Sequence, residues 1–327
     1  MTGLVGIIAN PASGKDIRRL VAHGSVFDNR EKVNIIRRAL QGLDALGIRH
    51  VLAMGDAFGL VAQAKDRLEA RLAVETLVLP LTNTAQDSTE AARRMAAAGA
   101  GCIITLGGDG TNRAVAKGCG YVPLVPLSTG TNNAFPVMVE GTLAGIAAAV
   151  VALNPEGVRA AAVRLARRLD VLRNGQRVDL ALVDVVVSRE RFVASRAIWA
   201  IDSMRAVAVS SVRPGTIGAS AIAGFLPEAS RHAGQGAWID VGPGGREVLV
   251  PIAPGLMERV PVWAVRWLAV GERVVLPPLH GVLALDGERD LRVALEDHME
   301  IALTQDGPQV VDVGAALRWA GQAGLFR

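Results

Sequence analysis

Residues 101–111 read GCIITLGGDGT and are the most informative stretch of the chain. Its apolar half is typical of a buried strand. The strand runs into a glycine-rich pentapeptide made of Gly107, Gly108, Asp109, Gly110 and Thr111. A helix is expected to begin at Asn112. Such a junction can bind phosphate, because glycines let backbone N–H groups approach the anion and the helix end adds positive potential.

Asp109 is the unexpected member of the pentapeptide, since a carboxylate repels bound phosphates. The residue makes sense if it binds Mg²⁺ or takes a proton from a hydroxyl nucleophile. The alternative is an ordinary turn in which Asp109 caps the next helix.

Residues 1–150 alternate strand and helix. This alternation predicts an α/β domain with a Rossmann-like parallel sheet, and ligands are expected at the carboxyl ends of its strands. Strands are expected near 3–9, 48–54, 74–80, 101–106 and 122–126, and helices near 30–46, 58–71 and 85–98. From about 157 the apolar period becomes two, and Asn174-Gly175 predicts a hairpin. We expect short strands over 157–304 in a β-sandwich, interrupted by a helix near 218–227. A terminal helix over 310–327, capped by Asp312, is expected to pack back on the first domain.

Composition narrows the class of protein. The 327 residues carry a net charge of only +4 without a block of basic residues, which disfavours nucleic acid as a partner. The apolar run 143–153 is about half of a membrane span, so no integral membrane segment is expected. Two cysteines without metal or redox spacing favour a reducing cytoplasm.

Two further segments are expected beside the glycine-rich pentapeptide. Residues 10–15, NPASGK, follow the first strand; they are not a P-loop, because Ala9 and Asp16 stand at required Gly and Ser/Thr positions. An ordinary turn capped by side chains is the alternative here. The second segment follows the fifth strand, where hydroxyls and amides can bond ribose and phosphate oxygens without adding charge. Its candidate residues are Thr129, Gly130, Thr131, Asn132 and Asn133.

Asp286-Gly287-Glu288 follows the apolar strand 281–285. Two carboxylates flanking a glycine at a strand end can serve as a general base and a metal ligand. The motif is weak alone and gains weight from its order after the other segments.

These segments together resemble the NAD kinase and diacylglycerol kinase superfamily. The pentapeptide is similar to its signature, and residues 10–14 are similar to the Asn-Pro-x-Ser-Gly turn of diacylglycerol and sphingosine kinases. Residues 126–135 resemble the Pro-Leu-Gly-Thr-x-Asn-Asp-Phe segment of the lipid kinases, with Asn133 in place of Asp. Residues 24–34, with 10–15, resemble the branch of NAD kinase-like proteins called acetoin catabolism protein X, a resemblance that covers nearly the whole chain.

One departure concerns the acceptor. NAD kinases carry an Asn-Glu or Asn-Asp pair that holds the dinucleotide, and the matching residues here are Val183 and Asp184. A valine side chain cannot hydrogen-bond a sugar or base. The region 214–221 loosely resembles the Gly/Ser/Thr loop of NAD kinases through Gly218 and Ser220, and a structural helix start is an equal alternative.

The resemblance implies an ATP-dependent, Mg²⁺-requiring kinase that phosphorylates a hydroxyl. It implies that Asn10, Ser13 and Gly14 frame the nucleotide, that Asp109 or Glu288 holds Mg²⁺, and that Asp184, Gly218 and Ser220 contact the substrate. Kinship with NAD kinases favours Asp109 as the base, whereas kinship with lipid kinases favours Asp286.

The sequence leaves the identity of the acceptor open. NAD, giving NADP, is the family default; a small polyol or hydroxyketone and a lipid head group are alternatives. Polyphosphate is an alternative donor. A further alternative is a protein of another class, a sensor that binds a nucleotide without turnover. The family also implies a homo-oligomer.

Overall fold

The computed structural model describes residues 3–14, 27–66, 68–130, 132–190 and 201–327. Seven strands form its first sheet: β1 (Leu4–Ala9), β2 (His50–Met54), β3 (Ala73–Leu77), β4 (Cys102–Gly107), β5 (Leu124–Ser128), β6 (Val163–Leu165) and β17 (Gln309–Val311). Their spatial order is β3-β2-β1-β4-β5-β17-β6, parallel except for β6. The expected parallel sheet is confirmed, and β1, β4 and β5 lie side by side at its centre.

Helices cover both faces of this sheet. Their bounds are α1 (Asn29–Ala45), α2 (Leu60–Lys65), α3 (Ala85–Ala97), α4 (Asp109–Ala116), α5 (Gly141–Leu153), α6 (Pro155–Ala162), α7 (Ala221–Gly224) and α8 (Val313–Gln322). α1, α5 and α8 share one apolar core with the sheet, and α3 and α4 share a second core on the opposite face. α1 begins where expected, because the Asp28 side chain accepts a hydrogen bond from Glu31 N.

Ten strands build the second part of the chain. They are β7 (Arg168–Arg173), β8 (Gln176–Ala181), β9 (Asp184–Ser188), β10 (Met204–Val209), β11 (Gly236–Ala253), β12 (Leu256–Leu268), β13 (Arg273–Val275), β14 (Gly281–Leu285), β15 (Glu288–Val293) and β16 (Met299–Thr304). They form two antiparallel sheets, ordered β12-β11-β10-β9-β14-β15 and β13-β16-β7-β8. Buried side chains of the two sheets share one core, which confirms the sandwich.

The chain returns to the first sheet at its end. β17 inserts between β5 and β6, with Gln309 paired to Leu165, and α8 packs on α5 and α6. The Asp312 side chain caps α8 by accepting from Ala315 N. The predicted return of the terminal helix to the first domain is confirmed.

Several elements differ from expectation, among them α6, a helix that reaches Ala162 where strands were expected from about 157. α2 ends at Lys65, not near 71, because the chain turns there to reach β3. The expected helix near 218–227 shrinks to α7. β11 and β12 form one long hairpin where short strands were expected. Its glycines at 242–245 lie at a register shift, and its Pro261 lies on the edge strand β12, where the missing N–H is tolerated.

Candidate active site

The loops that follow β1, β4 and β5 meet at the carboxyl edge of the first sheet. Asn10 Nδ2 donates to Thr111 Oγ1 over 3.0 Å, and the hydroxyl oxygens of Ser13 and Thr129 lie 2.9 Å apart. These contacts join the first loop to both of the others. The structure therefore brings together the three segments that the sequence singled out.

Glycine is required at three positions of these loops, because neighbouring atoms lie too close for a side chain. A Cβ at Gly107 would lie 2.4 Å from Thr111 Cβ, and one at Gly108 would lie 2.7 Å from Asn133 Oδ1. Gly14 has φ +75°, and a Cβ there would lie 2.8 Å from Thr129 O. The three glycines let the loops pack against each other without side chains between them.

Asp109 is the first residue of α4 rather than a member of the preceding loop, so the expected helix start at Asn112 is wrong by one turn. An acid in the first turn is favourable beside the helix dipole. Its carboxylate accepts hydrogen bonds from the backbone N–H groups of Ala134, at 3.0 and 3.1 Å, and Phe135, at 2.8 Å. The Asp109 side chain thereby joins the glycine-rich segment after β4 to the loop after β5.

The Asn112 side chain lies inside the first turns of α4 and stabilises the start of that helix by hydrogen bonds. Its Oδ1 accepts from Thr105 Oγ1 at 2.6 Å, and its Nδ2 donates to Gly108 O at 2.9 Å. The side chain is completely buried. This pair of contacts holds Gly108 in the extended conformation that directs the following N–H groups outward.

Two asparagine side chains of the loop after β5 differ in their hydrogen bonding. Asn133 Nδ2 donates to Ser128 Oγ at 2.7 Å and to Gly130 O at 3.3 Å, so this side chain supports its own loop. Both polar side-chain atoms of Asn132 are buried, yet neither has a hydrogen-bond partner. Buried amides are ordinarily paired, so Asn132 offers a donor and an acceptor to a ligand. Thr131 lies outside the described residues.

Asp286 lies at the end of β14 and is buried, with φ +51°. Its carboxylate accepts from the N–H groups of Leu182, Val183 and Asp184 at 2.7–3.2 Å. Burial raises the pKa of the Asp286 carboxyl above its ordinary value of 3.8, while the charge of Arg113 and the N–H donors partly oppose that shift. Asp286 is a fixed, desolvated carboxyl group.

Glu288 brings the second part of the chain to the glycine-rich segment after β4. A Cβ at Gly110 would lie 3.4 Å from Glu288 Cγ and 3.6 Å from its Oε1. Gly110 directly follows Asp109, so acids of both domains flank the start of α4. Within the part of the chain that the structure describes, no group of three or more His, Cys, Asp or Glu side chains could hold a metal.

The predicted substrate residues lie near Asp286. Asp184 Oδ2 accepts from Ser220 N at 3.1 Å, and Gly218 has φ +96°. Ser220 is buried, and its hydroxyl has no hydrogen-bond partner. Asp184 thus fixes the 218–220 turn, in which the buried Ser220 Oγ lacks a hydrogen-bond partner.

Val183 has a buried side chain that packs in a small apolar cluster with Leu180 and Leu182, against Ala134 and Phe135. The cluster joins the β-rich part to the loop after β5. Val183 therefore supports the interface between the domains, and its side chain offers no polar contact to a ligand.

Sequence reasoning missed two buried cations. Lys32, on α1, is completely buried and donates to backbone carbonyls of the 10–13 turn. Arg113, on α4, lies 3.4 Å from Asp179 of β8 and joins α4 to the second part of the chain. The available signal for Lys32 was its position, since it is a charged residue one turn before Ile36 on the apolar stripe of α1.

None of the described helices is long and apolar enough to cross a membrane.

Comparison with known proteins identifies both parts of the chain. Residues 5–154 match the ATP-NAD kinase N-terminal domain, and residues 167–306 match the acetoin catabolism protein X C-terminal domain. The chain is 41% identical to an acetoin catabolism protein X of Cupriavidus necator, over 99% of this chain and 94% of that protein. The chain belongs to the acetoin catabolism protein X family. The resemblance noted in residues 10–15 and 24–34 is confirmed.

The chain was also compared with solved structures. A diacylglycerol kinase crystal structure from Bacillus anthracis str. Sterne has 12% sequence identity and a TM-score of 0.44, and the match covers 95% of this chain and 96% of that one. The fold of this acetoin catabolism protein X family member is kinase-like, with an NAD kinase-type first domain.

Proposed function

We propose that the protein is an ATP-dependent, Mg²⁺-requiring kinase that phosphorylates a hydroxyl group. One observation carries the proposal: loops from β1, β4 and β5 are joined by side-chain hydrogen bonds around the N-terminus of α4, and Glu288 lies against the same turn. Phosphoryl transfer depends mainly on positioning and charge neutralisation, and this arrangement can provide both.

The residues present fit a nucleoside triphosphate. The first N–H groups of α4 have no carbonyl partner within the helix and favour anions. The open amide of Asn132 fits a polar group of the same ligand. Asn10 and Ser13 already contact Thr111 and Thr129, so we assign this whole edge, with Thr131 and Asn133, to the nucleotide.

Asp109 and Glu288 fit a magnesium ion by the chemistry of their oxygens. Mg²⁺ is commonly held by one or two carboxylates together with substrate phosphates, so a cluster of three protein acids is not needed. When bound, the ion would neutralise phosphate charge. Asp109 is held by the amides of Ala134 and Phe135, and this contact keeps the carboxylate at the start of α4.

The acceptor hydroxyl oxygen would attack the γ-phosphorus while the bond to the ADP oxygen breaks, and the hydroxyl proton would pass to a carboxylate. Two carboxylates are available for that proton. Burial raises the pKa of the Asp286 carboxyl above its ordinary value, which makes its carboxylate a stronger base than an exposed one. Asp109 lies closer in sequence to the phosphate loop.

NAD is the first acceptor we propose, because the first domain matches the ATP-NAD kinase model. The product would be NADP. A second acceptor class, a small polyol or hydroxyketone, is favoured by one observation: Val183 is buried in an apolar cluster and Asp184 is engaged with Ser220. Neither residue then offers the polar pair that would hold a dinucleotide. A lipid head group is the third acceptor to be tested.

We also propose a reducing, cytoplasmic setting and a homo-oligomer. The setting is supported by Cys102 and Cys119, which are both buried and unpaired. Light scattering of the purified protein measures the oligomeric state.

The deciding experiment incubates purified protein with γ-labelled ATP, Mg²⁺ and NAD, and measures labelled NADP. Asp109→Asn is the control against a contaminating kinase. Label in NADP with the wild type alone supports the NAD kinase reading. ATP binding without labelled NADP rejects NAD, and polyols, hydroxyketones and lipids are then tested with the same label. ATP binding without transfer to any acceptor identifies a sensor.

A further inference from the structure

Lys32 is completely buried beneath the 10–13 turn. Its ammonium donates to Ser13 O at 2.6 Å, Asn10 O at 3.0 Å and Pro11 O at 3.2 Å, and lies 3.3 Å from Asn29 Oδ1. Buried charges in proteins are ordinarily paired or hydrogen-bonded, and three of the partners of this ammonium are carbonyls of one turn. Lys32 is therefore placed to hold the first of the three loops.

The carbonyl contacts set the direction of the turn's N–H groups. In a planar trans peptide the C=O and the following N–H point in opposite directions. Because Ser13 O points inward to the ammonium, the N–H of Gly14 points away from it. Pro11 O likewise turns the Ala12 N–H away, and that group donates to Asn10 Oδ1 at 2.9 Å. Lys32 thus sets the orientation of the whole turn.

The position of the turn connects this orientation to the candidate site. Ser13 contacts Thr129, Asn10 contacts Thr111, and Gly14 packs against Thr129 O. The N–H of Gly14, which has φ +75°, belongs to the kind of concave backbone that binds anions. The charge of the ammonium lies directly under this surface.

We infer that Lys32 is a positioning residue for the phosphates of the nucleotide: it holds the 10–13 turn by three carbonyls and supplies a fixed positive charge beneath it. This inference rests on the proposed nucleotide-binding function. It assigns to α1 a role in phosphate binding that requires no contact between the lysine side chain and the ligand.

The test compares ligands that differ only in phosphate number. Calorimetry measures binding of ATP, ADP, AMP and adenosine to the wild type, Lys32→Met and Lys65→Met, the last being an exposed lysine at the end of α2. We expect Lys32→Met to weaken ATP at least about tenfold and adenosine less than about twofold, the size of a lost charge-assisted interaction. Lys65→Met should bind as the wild type does.

Equal losses for ATP and adenosine would overturn the inference, because a general disturbance of the fold acts on all four ligands alike. An unchanged ATP affinity would overturn it too. If Lys32→Met does not fold, Lys32→Gln takes its place, since glutamine can still donate to carbonyls but has no charge. Lys32→Gln is expected to weaken ATP selectively.

Hydrogen exchange separates this inference from the kinase proposal. Amides of residues 10–14 should exchange faster in Lys32→Met than in the wild type, while those of β2 stay unchanged. If the wild type binds none of the four ligands, the nucleotide proposal and the phosphate role both fail. Hydrogen exchange alone then tests whether Lys32 positions the turn, and unchanged exchange of its amides would refute that role.

Discussion

The hydroxyl oxygens of Ser13 and Thr129 lie 2.9 Å apart although 116 residues separate them in the chain. The contact bridges the loops after β1 and β5, which flank the glycine-rich loop after β4 on the central strands of the sheet. Neither residue is charged, so the bridge fixes the width of the site without altering its electrostatics.

This bridge predicts coupling between the two side chains. Ser13→Ala and Thr129→Val should each weaken ATP binding, and the double variant should lose less than the sum, with a coupling energy of about 0.5–1.5 kcal/mol. Calorimetry of the four proteins in a double-mutant cycle measures it. Strictly additive losses would show that the two hydroxyls act independently.

Asp286 predicts a specific dependence of stability on pH. Its folded-state pKa is raised above the ordinary value of 3.8 by burial, so its favourable contribution is present below that value and is lost as pH rises through the folded-state pKa. Asp286→Asn cannot ionise. The unfolding free energy of the wild type minus that of the variant should therefore fall as pH rises through this window, measured by urea denaturation.

The same shift bears on turnover. If Asp286 takes the hydroxyl proton, the acid limb of the kcat/KM profile lies above pH 3.8, and Asp286→Asn abolishes turnover. Full turnover in Asp286→Asn, with loss in Asp109→Asn, would assign the proton to Asp109 instead.

Gly145 predicts a large cost for a small substitution. A Cβ there would lie 2.1 Å from Ala39 O, where α5 crosses α1, so the two backbones would have to separate. Gly145→Ala should lower the unfolding free energy by about 1–3 kcal/mol, the usual cost of overpacking. Thermal and urea unfolding measure the change.

Gly321 provides the matched control for that substitution. It is also helical, in α8, and a Cβ there meets nothing within 4 Å. Gly321→Ala should leave stability unchanged or raise it by up to about 1 kcal/mol, because alanine is the better helix former. A similar loss in Gly321→Ala would contradict the assignment to the crossing, because helix propensity favours alanine and no atom lies within 4 Å of the added Cβ.

The two thiols predict inertness toward thiol reagents. Burial raises the pKa of Cys102 to about 12 and that of Cys119 to about 11, so neither is a thiolate at pH 8. Native protein should react slowly with a disulfide reagent, and denatured protein should release two equivalents. Rapid labelling of either thiol in the native state would contradict the burial.

The sequence predicts the parts of the fold that depend on local pattern. Alternating apolar runs located the parallel strands, Asp312 marked the start of α8, and Asn174-Gly175 marked the β7–β8 hairpin, where both residues have positive φ. Each signal is carried by residues close together in the chain.

The features that sequence missed depend on distant contacts. The hydrogen bonds from Ala134 and Phe135 to Asp109 join loops from different strands, and no local pattern encodes them. The burial of Lys32 follows from carbonyls about 20 residues away, whereas charge alone suggests exposure. From sequence alone, the glycines and a proline in β11 and β12 predict turns. The folded sheet accommodates them, because they lie at a register shift and on an edge strand.

The pairing of Leu165 with Gln309 places the entrance and the exit of the β-rich segment side by side. Ala166 N donates to Pro308 O and Gly307 N donates to Ala166 O, so the chain leaves and rejoins the first sheet through a single two-stranded neck. In evolutionary terms the β-rich segment has the geometry of an insertion into an α/β domain. Because residues 165 and 309 are already paired, a two-residue turn that joins them should leave β6 and β17 in register.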